Sequence, residues 1–322
     1  RESRALLYGR QVLDGLALLR GAFYKLDDYK LETAAQAILG RGKLIAGDDR
    51  GEAIEKAFAE DPQHLVDYNL QDARLVSEIL DATGLVDLAV ERSLLTGMQL
   101  DRVGAAIASV DSLYLPELRR RGRVAPSVHV EAAAEDIAGG HVLTSKPGLY
   151  ENVLVFDFRS LYPSLVRTFN LDPVARAGDD AAADLVLVAP NGARFLRTPR
   201  GILPELLDRL SLEREEARRA GQSIKANAIK ILMNSFYGVL GAPVSRLFAP
   251  EVANAITGFG QRVLQWAAKE AQKAGHAVIY GDTDSLFVHA PGIDAAGALA
   301  VAEQLRRSIG AAVERRIRRE YG

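Results

Sequence analysis

The sequence predicts an α+β fold, with helices in the first part of the chain and short strands between helices in the second. Residues up to about 122 carry apolar side chains at helical spacing. An apolar, β-branched run at 151–158 has the length and composition of a strand. Residues 276–290 read as two further strands around a tight Gly-Asp-Thr-Asp turn, which makes them an antiparallel hairpin.

The first part of the chain is predicted to be mostly helical. One helix covers 31–40 and ends at a glycine, and a second covers 65–80. Helical spacing continues over 86–122, and the glycines and prolines that follow, up to Pro147-Gly148, predict a loop. A new structural unit is therefore expected to begin near residue 150.

The second part alternates strands and helices. After the strand at 151–158, Tyr162-Pro163-Ser164 predicts a turn, and 171–200 is rich in Ala, Asp, Gly and Pro and is predicted to be irregular. Helices are predicted at 203–219, 223–237, 251–274 and 294–319. The first two are separated by Ala220-Gly221 and form an αα-hairpin.

The composition limits the classes of function. The chain has 322 residues, 48% of them apolar, which is enough for about two or three packed units. It contains no cysteine, which excludes disulfides, thiolate metal sites and cysteine nucleophiles. The net charge of -2 means that contact with nucleic acid would need local basic clusters. Because the chain starts at Arg1 and stops at Gly322 after a charged helical run, we expect it to be a fragment.

The segment DFRSLYPSL, at 157–165, joins a predicted strand to a turn. Asp157, at the strand end, can reach a cleft shared with other elements. Backbone N–H groups of Ser160, Leu161 and Tyr162 in the turn can bind an anion. For Asp157 taken alone, a simple aspartate cap on a strand end is an equal alternative.

The segment YGDTDS, at 280–285, places Asp282 and Asp284 at the tip of the predicted hairpin. Two carboxylates this close repel each other unless a cation or hydrogen-bond donors offset their charge. Mg2+ is the natural candidate, because a few carboxylates, waters and phosphates bind it. An ordinary Asp/Gly-rich turn is the alternative.

The αα-hairpin carries polar side chains on defined helix faces. Arg214 and Arg218 are one turn apart on its first helix. On its second helix, Lys230, Asn234 and Tyr237 follow at i, i+4 and i+7. Cations and an amide on facing helices suit a triphosphate. The alternative for the two arginines, which lie among glutamates, is a solvated charged face.

Together the three segments resemble motifs A, B and C of the family B DNA polymerases, since D-x-x-SLYPS, K-x-x-x-NS-x-YG and YGDTDS occur in that order. The longer segments GLYENVLVFDFRSLYPSLVRTFNLDPV and YGVLGAPVSRLFAP are similar to the bacterial DNA polymerase II branch, and the resemblance covers essentially the whole chain. It implies a palm domain with an antiparallel sheet, helical-hairpin fingers and part of an RNase H-like exonuclease domain.

The resemblance implies template-directed DNA synthesis by a two-metal mechanism, with primer-template DNA and deoxynucleoside triphosphates as partners. Asp157, Asp284 and the main-chain carbonyl of Phe158 would bind two Mg2+ ions, for which Mn2+ can substitute, and Asp282 would be a secondary catalytic carboxylate. The primer 3′-hydroxyl would attack the α-phosphorus in line with the leaving pyrophosphate.

The resemblance also implies a set of nucleotide-binding residues: Ser160, Leu161, Tyr162, Arg214, Arg218, Lys230, Asn234, Tyr237 and Gly238. Lys230 and Arg214 would bind the β and γ phosphates, assisted by Arg218, where the family often has lysine. Tyr162 would lie beneath the sugar and exclude a 2′-hydroxyl. Gly238 would let the backbone approach the nascent base pair.

The segment YNLQD places Tyr68 and Asp72 one helical turn apart and resembles the third motif of the family's 3′-5′ exonuclease. In that motif the aspartate is a metal ligand and the tyrosine orients the attacking water. An ordinary helix surface is the alternative for the pair taken alone. The other exonuclease acids and the thumb are expected outside this chain, so activity is expected of the full-length protein rather than of the fragment.

The resemblance implies four successive segments. These are 1–85, the C-terminal part of the exonuclease domain; 86–196, connecting helices and the first part of the palm; 197–240, the fingers hairpin; and 241–322, the second part of the palm without the thumb. We also expect a bacterial, cytoplasmic, nucleoid-associated protein with no membrane segment, and contact with a sliding clamp through regions outside this chain.

The residues argue against three other functions. AILGRGKL, at 37–44, approaches a P-loop, but Ala37 replaces its first glycine and Leu44 replaces the Ser/Thr that would hold magnesium. A nucleotide cyclase would also pair strand-end aspartates, but the helical hairpin with Lys230 argues against it. A catalytically dead DNA-binding relative would be expected to lack Asp157, Asp284 or Lys230, and all three are present.

Overall fold

The computed structural model describes residues 7–45, 49–128, 137, 139–140 and 142–322. Within these ranges the chain combines α-helices with antiparallel strands, which confirms the α+β prediction. Two compact units are present: one contains the described residues up to Ser112 together with Glu213–Leu232, and the other contains Leu113–Leu212 and Met233–Gly322. Part of the loop predicted before Pro147 lies outside the described residues.

The helices are α1 (Gly15–Gly21), α2 (Leu31–Leu39), α3 (Arg50–Glu60), α4 (Pro62–Thr83), α5 (Leu85–Thr96), α6 (Ala106–Arg120), α7 (Leu161–Phe169), α8 (Ile202–Arg219), α9 (Ser223–Leu240), α10 (Pro250–Lys273) and α11 (Ala295–Tyr321). The strands are β1 (Val142–Leu143), β2 (Val153–Asp157), β3 (Val186–Val188), β4 (Arg194–Leu196), β5 (Ala277–Asp282) and β6 (Ser285–His289). Short 3-10 turns occupy Leu100–Arg102, Pro173–Ala175 and Ala183–Leu185.

The first unit is helical and is built around α4. The side chain of Asp61 caps this helix by accepting a hydrogen bond from the N–H of His64 at 3.1 Å, and Pro62 occupies its first turn. Gly84, with φ +63°, ends it in the left-handed conformation. The buried core of the unit comprises Leu19, Ala34, Ala35, Leu75, Ile79, Leu85, Leu88, Ala228 and Ile231.

The second unit contains a four-stranded antiparallel sheet in the order β1-β5-β6-β2. Helix α10 packs against β5 and β6, and α11 packs against β2 and α10. Next to these helices the rings of Phe169 and Phe259 stack with centroids 3.9 Å apart, and Tyr321 meets both edge-on. The three rings join α7, α10 and α11 in one aromatic cluster.

The central hairpin of the sheet requires a glycine. A Cβ built on Gly281 would lie 2.8 Å from the Leu143 side chain and 3.1 Å from the Ser285 carbonyl oxygen. Glycine therefore allows β1 to approach β5 next to the turn that carries Asp282 and Asp284.

The structure differs from the sequence-based prediction in two segments. The predicted turn at Tyr162-Pro163-Ser164 is the first turn of α7, where proline is tolerated because its missing N–H would have no acceptor in the helix. The segment 171–200, predicted to be irregular, contains the β3–β4 hairpin. No helix among the described residues is both long and apolar enough to cross a membrane.

Candidate active site

The sheet brings Asp157 and Asp284 to the same end. Strand β2 ends at Asp157, which lies opposite Ser285 in the register with β6. Immediately beyond, the N–H of Phe158 donates a hydrogen bond to the carbonyl of Asp284 at 2.8 Å. The two aspartates, predicted from distant motifs, are therefore neighbours across a strand pair.

The turn between β5 and β6 is held by hydrogen bonds to Asp282. The N–H of Asp284 and the hydroxyl of Ser285 donate to the Asp282 carbonyl at 2.6 and 3.1 Å. The Thr283 hydroxyl donates to the Asp282 carboxylate at 2.9 Å. Thr283 itself has φ +53°, a left-handed conformation that residues with a Cβ seldom adopt. These contacts fix the turn in a conformation that exposes the Asp282 side chain.

Negative charge accumulates at this end of the sheet. Burial raises the pKa of Asp284, and the charges of Asp157 and Asp282 raise it further, whereas a backbone hydrogen bond lowers it. No group of three or more His, Cys, Asp or Glu side chains arranged for a metal ion occurs among the described residues. A pair of carboxylates with a nearby carbonyl nevertheless fits Mg2+, which takes one or two carboxylates and completes its shell with waters and phosphates.

Tyr162 lies beside these carboxylates. Its ring packs against the ring of Tyr237 from α9, with centroids 4.8 Å apart at an angle of 47°. Burial raises the pKa of Tyr162 to about 12, helped by Tyr237 and by the charges of Asp284 and Asp282. The tyrosine therefore stays uncharged at neutral pH and belongs to the same site as the acids.

Helix α7 begins shortly after Asp157 in the chain, and the N–H groups of its first turn are directed out of its N-terminal end. Ser160 precedes the helix with φ +52°, and Leu161 and Tyr162 form its first two residues. N–H groups in the first turn have no acceptor within the helix, and the helix dipole adds partial positive charge there. The N–H groups of Leu161 and Tyr162 therefore lie at the positive end of α7, and the anion contact predicted for Ser160, Leu161 and Tyr162 stays a prediction.

The second-unit part of α9 supplies the remaining motif B residues. Asn234 and Gly238 are exposed, and Tyr237 is half-buried against Tyr162. A Cβ built on Gly238 would meet no atom within 4 Å. The described residues therefore leave the surface at Gly238 open.

The cationic residues predicted to bind phosphate belong to the first unit. Lys230 and Arg218 are exposed, and Arg214 is partly exposed. Lys230 precedes Asn234 by one turn along the continuous helix α9. The apolar neighbours of Lys230 on that helix, Ile229 and Ile231, are buried, so the lysine occupies the polar face of the helix.

The structure places Tyr68 and Asp72 on α4 and adds a partner that the sequence did not indicate. The ammonium of Lys43 lies 2.6 Å from the Asp72 carboxylate and 4.9 Å from the centre of the Tyr68 ring. Lys43 belongs to the glycine-rich segment rejected as a P-loop. Its backbone N–H donates to the Glu32 carboxylate at 2.6 Å, and a Cβ at Gly42 would displace that carboxylate from its present position. In the sequence, the spacing of the glycines was the one feature that indicated this loop.

The comparisons with known proteins all indicate the same family. Residues 103–320 match the model of DNA polymerase family B. The chain is 40% identical to DNA polymerase II of Escherichia coli, over 87% of this chain and 36% of that protein. It is 30% identical to a DNA polymerase of Thermococcus gorgonarius, over 84% of this chain and 37% of the relative.

A eukaryotic relative extends the comparison. The chain is 28% identical to the DNA polymerase delta catalytic subunit of rice, Oryza sativa, over 89% of this chain and 29% of the relative. The chain thus spans about a third of the length of the curated relatives it matches. The resemblance carried by the three motifs is confirmed, and the chain belongs to the family B DNA polymerases.

Proposed function

We propose that the full-length protein containing this chain is a DNA-directed DNA polymerase that transfers deoxynucleotides to the 3′-hydroxyl of a primer. The observation that carries the proposal is the meeting of Asp157 and Asp284 across β2 and β6, beside Tyr162. Family membership and the names of the relatives support the same activity.

The carboxylates would hold the metal ions of the reaction. Asp157, Asp284 and the main-chain carbonyl of Phe158 would be the ligands of two divalent ions, Mg2+ or in its place Mn2+. When bound, such ions lower the pKa of the attacking hydroxyl and offset charge on the triphosphate. Asp282, exposed at the turn, would add negative charge as a secondary carboxylate.

The start of α7 would position the nucleotide. Backbone N–H groups of Ser160, Leu161 and Tyr162 would donate hydrogen bonds to phosphate oxygens, a use of a helix N-terminus that needs no side chain. The Tyr162 ring would lie beneath the sugar and occupy the space of a 2′-hydroxyl. Its packing against Tyr237 supports this role, because a ring held by neighbours excludes a substituent better than a mobile ring.

Helices α8 and α9 would act as fingers. Lys230 and Arg214 would bind the β and γ phosphates, with Arg218 and Asn234 assisting, and their exposure on polar helix faces is compatible with that role. Tyr237 and Gly238 would approach the nascent base pair. The open space at Gly238 supports the proposal, since a base pair could approach the backbone there.

The finer domain division remains part of the proposal. Residues 1–85 would end an RNase H-like proofreading exonuclease, 86–196 and 241–322 would form the palm, and 197–240 would form the fingers. Tyr68 and Asp72 would belong to the exonuclease site, which is incomplete in this chain. Contact with a sliding clamp and a bacterial cytoplasmic, nucleoid-associated location stay predictions.

The proposal is tested by Asp157→Ala in the full-length protein. Loss of a metal-binding carboxylate should reduce primer extension by about a thousandfold or more, because it removes several kcal/mol of transition-state stabilisation. Folding and DNA binding should change little, since the Asp157 side chain is exposed. Primer extension by Asp157→Ala at the rate of the unchanged protein would refute the metal assignment.

A matched control is Glu151→Ala, which removes an exposed acid shortly before β2. This variant should extend primers normally. Equal losses from Glu151→Ala and Asp157→Ala would mean that net charge in this region, and not the proposed ligand, controls activity.

A further inference from the structure

Gly260, in the middle of α10, packs next to the Tyr162 ring. The glycine is buried, and a Cβ built on it would lie 3.2 Å from Cε1 of Tyr162. Contact between a Cβ and a ring carbon at this distance is tighter than ordinary van der Waals contact, so one of the two groups would have to move. The next nearest atoms, in Leu161 and Leu165, are 3.6 and 3.7 Å away, which is ordinary contact.

Tyr162 is therefore held between two helices of the second unit. Gly260 of α10 lies on one side, and the Tyr237 ring of α9 packs on another, with centroids 4.8 Å apart. Glycine inside a helix is less favourable than alanine, so its use at position 260 calls for a packing reason. The close approach of the Tyr162 ring is that reason.

We propose that Gly260 is a positioning residue that sets the depth of the Tyr162 ring and thereby the discrimination between deoxyribonucleotides and ribonucleotides. The inference rests on the proposed role of Tyr162 beneath the sugar. A methyl group at position 260 would displace the Tyr162 ring away from α10 by a few tenths of an ångström. In the proposed arrangement the sugar lies on the side of the ring away from α10. The space left for a 2′-hydroxyl would then become smaller.

The experiment is Gly260→Ala in the full-length polymerase. We expect the ratio of kcat/KM for a deoxynucleotide to kcat/KM for the matching ribonucleotide to rise about tenfold, the scale of a single methyl group in a tight pocket. Incorporation of deoxynucleotides should continue, with most of the change in the KM for the ribonucleotide. A ratio within about twofold of the unchanged enzyme would overturn the inference.

Gly258→Ala is the matched control. Gly258 lies on the same helix, half-buried, and a Cβ there would meet Pro190 at 3.1 Å rather than Tyr162. It gains the same helix propensity and makes a similarly tight contact. The sugar ratio should not change in this variant, and a rise equal to that of Gly260→Ala would overturn the inference.

A double variant separates a direct effect from a general one. Tyr162→Ala alone should lower the sugar ratio, and adding Gly260→Ala to it should change nothing more, because the methyl group then has no ring to displace. A tenfold rise that persists without Tyr162 would overturn the inference. An unchanged ratio in Tyr162→Ala alone would instead refute the proposed sugar contact, so the two failures are distinguishable.

The double variant also covers the case in which Gly260→Ala does not fold. Without the Tyr162 ring the close contact at Cε1 disappears, so folding should recover. Thermal unfolding of the single and double variants measures this recovery. If Gly260→Ala lowered the melting temperature as much in the Tyr162→Ala background as in the unchanged protein, position 260 would act on the fold and not on Tyr162.

Discussion

Two aspartates of the second unit, Asp172 and Asp284, have raised pKa values but opposite surroundings. Burial is the largest cause for both. Asp172 is 0% exposed, and its carboxylate accepts hydrogen bonds from the Tyr114 hydroxyl at 2.9 Å and from the N–H groups of Val174 and Leu203 at 2.7 and 2.6 Å. Asp284 is half-buried and has two further carboxylates, those of Asp157 and Asp282, as neighbours. Asp172 is instead surrounded by hydrogen-bond donors.

The difference separates an aspartate that stabilises the fold from aspartates whose mutual repulsion destabilises it. Asp172 joins α6, the turn after α7 and the start of α8, and each contact satisfies a buried polar group. Carboxylates that accumulate without countercharge disfavour the folded state. The proposed metal ions would offset this repulsion at the end of the sheet.

Neighbouring residues complete the network around Asp172. Asn170 accepts a hydrogen bond from the N–H of Gly201 at 2.7 Å and donates to the carbonyls of Leu196 and Pro199 at 2.8 and 3.0 Å. Gly201 has to be glycine, since a Cβ there would lie 2.5 Å from the Asp172 side chain. This network fixes the start of α8, the helix that also carries Arg214.

The largest expected effect is on stability, from Asp172→Ala. The substitution leaves three donors without their acceptor, two of them in buried hydrogen bonds, so we expect the free energy of unfolding to fall by about 3 to 5 kcal/mol. Asp284→Ala should leave it unchanged or slightly higher, because a repelling charge is removed. Urea denaturation of the two variants of this chain measures the difference.

Asp172→Asn sharpens the same comparison. The amide keeps one acceptor oxygen, so its loss of stability should lie between those of the unchanged chain and Asp172→Ala. If Asp284→Ala were as destabilising as Asp172→Ala, the division between a structural acid and a ligand-binding site would be wrong.

A smaller effect is expected from metal ions. With Mn2+ at about ten times its dissociation constant, the free energy of unfolding should rise by about 1.4 kcal/mol, if the ion binds the folded site and not the unfolded chain. The double variant Asp157→Asn/Asp284→Asn should not respond. Thermal unfolding with and without Mn2+ measures this gain.

The control for charge is Asp179→Asn/Asp180→Asn, which removes two exposed acids from a surface loop. This variant should gain as much stability from Mn2+ as the unchanged chain. Stabilisation that survives in Asp157→Asn/Asp284→Asn and disappears in the loop variant would place the ion elsewhere.

The long helices were predictable because their signals are local. Apolar periodicity and Gly221 predict α8 and α9 to within about three residues of their ends. The two-residue and three-residue strands β1, β3 and β4 carry no such pattern, since pairing with distant partners creates them. Tyr162-Pro163-Ser164 predicts a turn, but proline is also compatible with a first helical turn, and α7 begins at Leu161.

The sequence predicted only those site residues that belong to recognisable motifs. The order of the three motifs predicted that Asp157 and Asp284 would meet, and the register of β2 with β6 brings them together. The contacts of Gly260 and Lys43 depend on which helix lies opposite, and no local sequence pattern indicates that. Asp172 was hidden in the segment predicted to be irregular, where a buried aspartate resembles a turn residue.

The smallest effect is expected from a third environment, that of Asp208. Its carboxylate accepts hydrogen bonds from Arg167 and Arg200, both at 2.6 Å. Burial alone would raise the pKa of Asp208, but these hydrogen bonds outweigh it and the pKa is lowered. The folded-state pKa is then below the unfolded value, so the stabilisation is complete above the ordinary aspartate range and is lost as the pH falls through the lowered value.

Asp208→Asn should therefore make the melting temperature less sensitive to acid, measured from about pH 7 to about pH 3. The side chain is 42% exposed and solvent screens it, so the shift should be smaller than the effects at Asp172 and at the metal ligands. Asp184→Asn, an exposed acid on a 3-10 turn, is the control and should follow the unchanged chain. If the melting temperatures of Asp208→Asn and the unchanged chain fell in parallel with pH, the hydrogen bonds from Arg167 and Arg200 to Asp208 would add no more stability than hydration of the carboxylate does. The acids of this unit would then fall into two classes, buried with donors or clustered for a ligand, and not into three.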